Sequence, residues 1–281
     1  MREMKTPIIE KIRSPIVAGL FYPEDRTAAA AALCSYGLEH GIGGYAKAII
    51  APHGAWEFSG SIAAAAFTAA AGRAARGGVS RVAILGPSHH YTEEGLFLSD
   101  SDFFATSLGR LPVDRRLCSG LASCSTLFEY NDIPHLDESS IEVLLPFIRF
   151  CFPGASIIPI LMSGSQPRFI SALARALKIT FEPNLEEFLL VVSSNLALDK
   201  DEERALLHAQ NCRRLLEEGK NADLGRGIQD GSISACGGPL IAALLESGLF
   251  EGAAVRSLKD PLVMARAERG NITFYGALAF E

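Results

Sequence analysis

The chain has no apolar run long enough to cross a membrane. Its longest, Ile62 to Ala71, is rich in alanine and about half of the roughly 20 residues that a bilayer span requires. It reads instead as a helix packed closely against a sheet. No excess of basic residues is present either: 26 Lys and Arg stand against 32 Asp and Glu, for a net charge of −6. A nucleic-acid footprint needs concentrated positive charge. The Arg213-Arg214 pair is followed by Glu217 and Glu218 and reads as a solvated helix face. Met1 to Arg13 is charged and lacks an apolar core, so no secretion signal is expected. The six cysteines form no CxxC pair and no secreted-style disulfide framework, which suits a reducing, cytoplasmic setting. Five of them read as small buried hydrophobes. The glycines near Gly237 match neither GxGxxG nor a Walker pattern, so a phosphate cradle has no specific support.

What the chain does have is an alternation of strand-length apolar runs with helical patterns. Ala46–Ala51, Arg81–Leu85, Ser156–Leu161, Phe188–Ser193 and Ile272–Phe280 are expected strands. Their hydrophobicity is continuous, as in strands covered on both faces. Residues 26–35, 59–73, 139–151, 168–179, 200–218 and 238–246 are expected helices, with Pro146 splitting or kinking the third. The rhythm predicts a single three-layer α/β/α domain over residues 1–281 with a central mixed sheet. Phe21–Pro23 and Asp100–Asp114 are expected surface excursions.

Three turns hold the residues best suited to chemistry: Pro52-His53-Gly54, Pro87-Ser88-His89-His90 and Cys236-Gly237-Gly238-Pro239. The first two follow expected strands and the third opens a helix. Strand-end turns are where α/β proteins build sites. Imidazole and thiolate together suit a transition metal. Each residue also has a plainer reading: His53 as a hydrogen-bonded structural histidine, Cys236 as a buried free thiol. Adjacent histidines point to opposite sides in extended backbone, so only one of His89 and His90 is expected in a shared site. A helix N-terminus at Cys236 favours its thiolate, which leaves a thiol nucleophile paired with a histidine as another option.

The motifs PIVAGLFYP, APHGAW, LGPSHH, DESSIEVLLPF, IIPILMSG, VVSSNLALD and ACGGP occur here in this order. Together they resemble the Memo family, relatives of the class III extradiol (LigB-type) dioxygenases, over almost the whole chain. The resemblance implies a LigB-dioxygenase-like fold and a transition metal, iron or copper, held by His53, His89 and Cys236. A cysteine where the dioxygenases use a carboxylate shifts the preference towards softer metals such as copper(I) or zinc. Radical-SAM and AMMECR-type proteins are the partners that the family association implies, besides a small molecule or peptide at the site.

Departures from the family pattern temper the implied oxidoreductase activity. Ser139 stands where the family usually has a histidine, Asn195 where it has an aspartate, and Leu198 where it has a second histidine. General acid–base assistance is worth about 10² to 10⁴-fold in rate, and none of these three side chains supplies it. The ligands persist while the proton-moving groups do not. The expectation is therefore metal binding with weakened dioxygenase-like chemistry, or else a non-catalytic peptide- or ligand-binding protein on the same scaffold. Glu142 is expected to line the site or cap a helix, and Trp56 and Tyr91 to line it or pack in the core. His135 is a candidate to swing into the space at Ser139, and Asp199 reads as a helix N-cap.

Overall fold

A computed structural model describes residues 10–75, 78–259, 262–266 and 270–281; Met1–Ile9, most of the segment read as lacking a secretion signal, lies outside them. Continuous apolar runs become fully buried strands, as their patterning demands. Eight strands form the central sheet, in the order Val255–Ser257, Leu278–Phe280, Ala48–Ala51, Phe188–Ser193, Arg81–Pro87, Ser156–Ser163, Gly95–Leu98 and Phe128–Tyr130. The strand at 188–193 lies between those at 48–51 and 81–87, and all three are parallel. The 156–163 strand continues the parallel block. Antiparallel neighbours then enter on both sides: 278–280 against 48–51, and 95–98 against 156–163. The sheet is mixed.

Helices cover it in two sets, giving the three-layer α/β/α architecture. Those at Arg26–Ser35 and Trp56–Ala75 pack with Leu145–Cys151; Arg115–Cys124 packs on Pro167–Phe181, which meets Gly238–Glu246, which in turn meets Asn221–Asp230. Alanine at 63, 64, 66, 70 and 71 is at most 1% exposed, so the alanine-rich run works as a helix face lying close to its neighbours. Among the described residues no helix is long and apolar enough to cross a membrane.

Several expectations are corrected. Ile272–Phe280 is two strands: Ile272–Tyr275 joins a small separate sheet with Ala197–Asp199 and Val263–Arg266, and only Leu278–Phe280 reaches the central one. Residues 100–114 are not a mere surface excursion. They form a hairpin, Phe103–Thr106 with Gly109–Pro112, paired to Ile12–Arg13, and Phe104 and Leu111 bury its inner face. In the Phe21–Pro23 excursion, Tyr22 turns inward and is buried. One expectation holds: the 139–151 helix is split as Pro146 requires, with a 3₁₀ turn at Glu142–Leu144 before Leu145–Cys151 and Pro146 in the first turn of the second piece, where its missing N–H costs nothing. Helix 202–217 is capped by Asp201, whose side chain accepts from Arg204 N. Asp199 instead pairs with the Arg204 guanidinium. Of the cysteines read as buried, Cys34 is exposed and Cys124 half-buried; Cys118, Cys151 and Cys212 are buried.

Candidate metal centre

Parallel neighbours end on the same edge of a sheet, and three of them end here. His53 lies two residues past the 48–51 strand and His89 two past the 81–87 strand. Between them the 188–193 strand delivers Ser193, Ser194 and Asn195. Cys236 arrives from across the chain, just before helix 238–246. Its approach depends on Gly237: a Cβ there would lie 2.6 Å from both the Ser193 carbonyl oxygen and the Ser194 Cβ. Ser194 Oγ accepts from Gly237 N at 3.0 Å and holds the turn against the sheet.

One ligand atom from each of His53, His89 and Cys236 falls within 4.8 Å of the others. Cys236 Sγ sits 3.1 Å from His53 Nε2, and the two imidazoles meet edge to face with centroids 5.2 Å apart. His53 is buried, Cys236 is half-buried and His89 is exposed, so the cluster opens on the His89 side. His90 is exposed as well and lies outside the cluster.

Each histidine is oriented from behind. Ser193 Oγ donates to the Ser140 carbonyl at 2.7 Å, which leaves its oxygen to accept from His53 Nδ1 at 2.7 Å. That chain puts a ring proton on Nδ1 and aims Nε2 at Cys236 Sγ. Glu138 does the same for His89: its carboxylate accepts from the His89 backbone N at 2.5 Å and from Nδ1 at 3.0 Å. It also accepts from Ser140 N. A carboxylate or hydroxyl behind a ligating imidazole is the usual outer support of a metal site.

The charges are coupled. Burial alone pushes the Cys236 thiol up. The His53 imidazole beside it, with hydrogen bonds from His89 and the Asn195 backbone N–H, overcomes that and brings it down to about 5. Burial pulls His89 down, but Cys236 and Glu138 outweigh it and raise the imidazole to about 10. Glu138 is pushed up by burial and held down at about 2 mainly by His89.

The family-position residues are distributed as follows. Asn195 is at the centre: Oδ1 accepts from His53 N at 3.1 Å, and its own N–H donates to Cys236 Sγ at 3.1 Å. Ser139 is half-buried beside Glu138. Leu198 is 47% exposed and its backbone N donates to Ser234 Oγ. Glu142 is buried in an ion pair with Arg13 and accepts from Ile16 N, Val17 N and the Tyr22 hydroxyl. Trp56 is buried, donating to the Val143 carbonyl and packing on Tyr22 and Phe147. Tyr91 accepts from Asn131 and packs on Phe97. His135 does not swing towards Ser139: it is buried, hydrogen-bonded to the Phe97 carbonyl and set against Phe104.

Two supports, Glu138 and Ser193, are not singled out by the sequence, where the departures at Ser139 and Asn195 stand close by. The available signal is a carboxylate one residue before Ser139 and a hydroxyl two residues before Asn195. Tyr275 is a further neighbour: its hydroxyl would lie only 2.6 Å from a Cβ on Gly54. Arg13 joins the same frame, donating to the backbone carbonyls of His135 and Glu138.

Comparison with known proteins gives the family. The family model described as Memo-like protein matches residues 13–257. A MEMO1 family protein of Thermotoga neapolitana is 30% identical over 260 residues, covering 88% of this chain and 91% of the relative. Another, from Aeropyrum pernix, is 30% identical over 281 residues, covering 94% and 95%. With its motifs in order and its two histidines and cysteine gathered at one sheet edge, the chain belongs to the Memo family.

Proposed function

We propose that this protein binds one transition metal ion through His53 Nε2, His89 and Cys236 Sγ, and that any reaction it supports is a redox process at that metal. The observation that carries this reading is the convergence of three donor atoms within 4.8 Å, two of them on imidazoles already oriented by Ser193 and Glu138. The donor set fits: one soft thiolate and two borderline imidazoles suit copper, zinc or iron better than a hard cation. Bound copper or iron would supply one-electron chemistry; zinc would supply charge alone.

The protein's own residues do the rest. Ser193 keeps a proton on His53 Nδ1, Glu138 keeps one on His89 Nδ1, and the Asn195 N–H stabilises the sulfur as thiolate. Ser139, Asn195 and Leu198 supply no acid or base. A substrate therefore has to exchange protons with solvent on the open His89 side.

Metal analysis of the untagged protein after reconstitution with iron, copper and zinc tests the reading. Near-stoichiometric metal is expected in the wild type, with a large loss in His53→Ala and Cys236→Ala. Equal, negligible metal in all three would overturn it. The loss of acid–base groups favours a second reading, a non-catalytic protein that holds a small molecule or peptide against the metal. Metal-dependent dioxygen consumption would count against that one. In both readings the protein works in the cytoplasm, and radical-SAM or AMMECR-type proteins are its proposed partners.

A further inference from the structure

His53 and His89 leave from strands that are not neighbours, because 188–193 lies between 48–51 and 81–87. The ladder of the sheet therefore sets neither histidine turn directly against the other, and their relative placement depends on contacts beyond it. Ser140 makes those contacts. It is fully buried, and its carbonyl, its N–H and its hydroxyl are all engaged. The carbonyl accepts from Ser193 Oγ at 2.7 Å, behind His53. The N–H donates to Glu138 at 2.8 Å, behind His89. The hydroxyl donates at 2.8 Å to the carbonyl of Pro87, two residues before His89. The 81–87 strand is bare where this turn arrives: a Cβ on Gly86 would lie 2.8 Å from Ser140 Oγ and 2.6 Å from Ile141 Cγ1.

We propose that Ser140 is a positioning residue for both histidines at once, so that the two imidazoles are set as a pair. The inference rests on the metal reading only in taking those imidazoles as ligands. Outer partners of a ligating imidazole fix its orientation, and Ser140 stands one step further out, where one residue holds two such partners. Displacing its turn would break hydrogen bonds on the His53 side and the His89 side together. Buried polar groups left unpaired are costly, so the turn keeps one arrangement and imposes it on both rings.

Ser140→Ala deletes the hydroxyl bond to Pro87. Ser247→Ala is the control: it deletes another buried hydroxyl, bonded to the Leu244 carbonyl at the opposite end of helix 238–246 from Cys236. In metal-free protein, proton–carbon correlation NMR follows the ring C–H signals of His53 and His89. Both are expected to move in Ser140→Ala and neither in Ser247→Ala. Cobalt(II) serves as the spectroscopic probe metal. Its affinity should fall roughly two- to tenfold in Ser140→Ala, the range of one hydrogen bond, with a shift of its d–d bands. Ser140→Cys returns a weak donor and should recover part of that affinity, while Ser247→Ala should change neither affinity nor bands. Unmoved ring signals, movement at one histidine alone, or unchanged cobalt affinity in Ser140→Ala would each overturn the proposal. Should Ser140→Ala not fold, Ser193→Ala and Glu138→Gln take its place. Their double variant should lose less cobalt affinity than the product of the single losses, and a strictly multiplicative loss would overturn the proposal. A wild type that binds no cobalt sinks the metal reading alone, because the ring signals of metal-free protein still judge Ser140.

Discussion

His53 and Ser193, 140 positions apart in the chain, are joined by a 2.7 Å hydrogen bond that determines which face of the imidazole is free. Ser193 has one proton and spends it on the Ser140 carbonyl, so His53 must be the donor at Nδ1. Ser193→Ala removes this constraint without adding bulk. Metal affinity, measured by competition with a chelator, is expected to fall about 10 to 100-fold, with the fold retained by circular dichroism. Unchanged affinity would show that the ring is held by packing alone.

Gly54 and Tyr275 are matched. A Cβ at 54 would meet the Tyr275 hydroxyl at 2.6 Å and ring carbons at 2.8 and 3.0 Å, so glycine fits there with Tyr275 in place. Gly54→Ala is expected to destabilise the protein by about 1–3 kcal/mol in denaturant unfolding. Tyr275→Phe removes only the nearest of the three atoms, so the double variant should recover part of that loss and not all of it. Strictly additive effects would mean that the two residues do not touch.

In metal-free protein the Cys236 thiol, brought down to about 5, is expected to alkylate with a midpoint near that pH and to reach its plateau by about pH 6. Cys118, Cys151 and Cys212, which burial pushes up to about 12, should stay unmodified in the folded state. Peptide-level mass spectrometry separates the sites. His53→Ala removes a principal influence holding the thiol down and should move the midpoint upward.

His135 predicts an acid dependence of stability. Burial lowers its imidazole from 6.5 to about 4, so the unfolded chain takes up the proton first. Its contribution to stability is full above pH 6.5 and is lost progressively as the pH falls towards about 4. His135→Gln keeps a donor for the Phe97 carbonyl and removes the titration. Its denaturant midpoint should vary less between pH 6.5 and 4 than that of the wild type.

The ligand set was legible because strand-end turns after continuous apolar runs are recognisable one segment at a time, as at His53 and His89. The supports were not legible as supports. Glu138 acts on His89 across 49 residues and Ser193 on His53 across 140, and no local pattern encodes a partner at such a distance. The central strands from 48–51 to 188–193 were legible for the same reason as the turns. The small sheet of Ala197–Asp199, Ile272–Tyr275 and Val263–Arg266 was not: its outer strands are short and only partly buried, so they carry neither a continuous nor an alternating signature. The run 272–280 reads as one strand because its hydrophobicity does not pause where the backbone changes sheets.

Arg13 and Glu142 face each other with side chains at most 1% exposed, and this restricts how the chain can vary. Losing one partner strands the other's charge in the interior, at a cost of about 3–5 kcal/mol, so the two positions are free to change only as a pair. Arg13 also bonds the carbonyl of Glu138, whose side chain grips His89. A fragment beginning after Ser14 would therefore lose the counterion of a buried carboxylate and slacken the loop behind a metal ligand more than 70 residues downstream. The start of the described chain, short as its strand is, belongs to the site's foundations and not to its periphery.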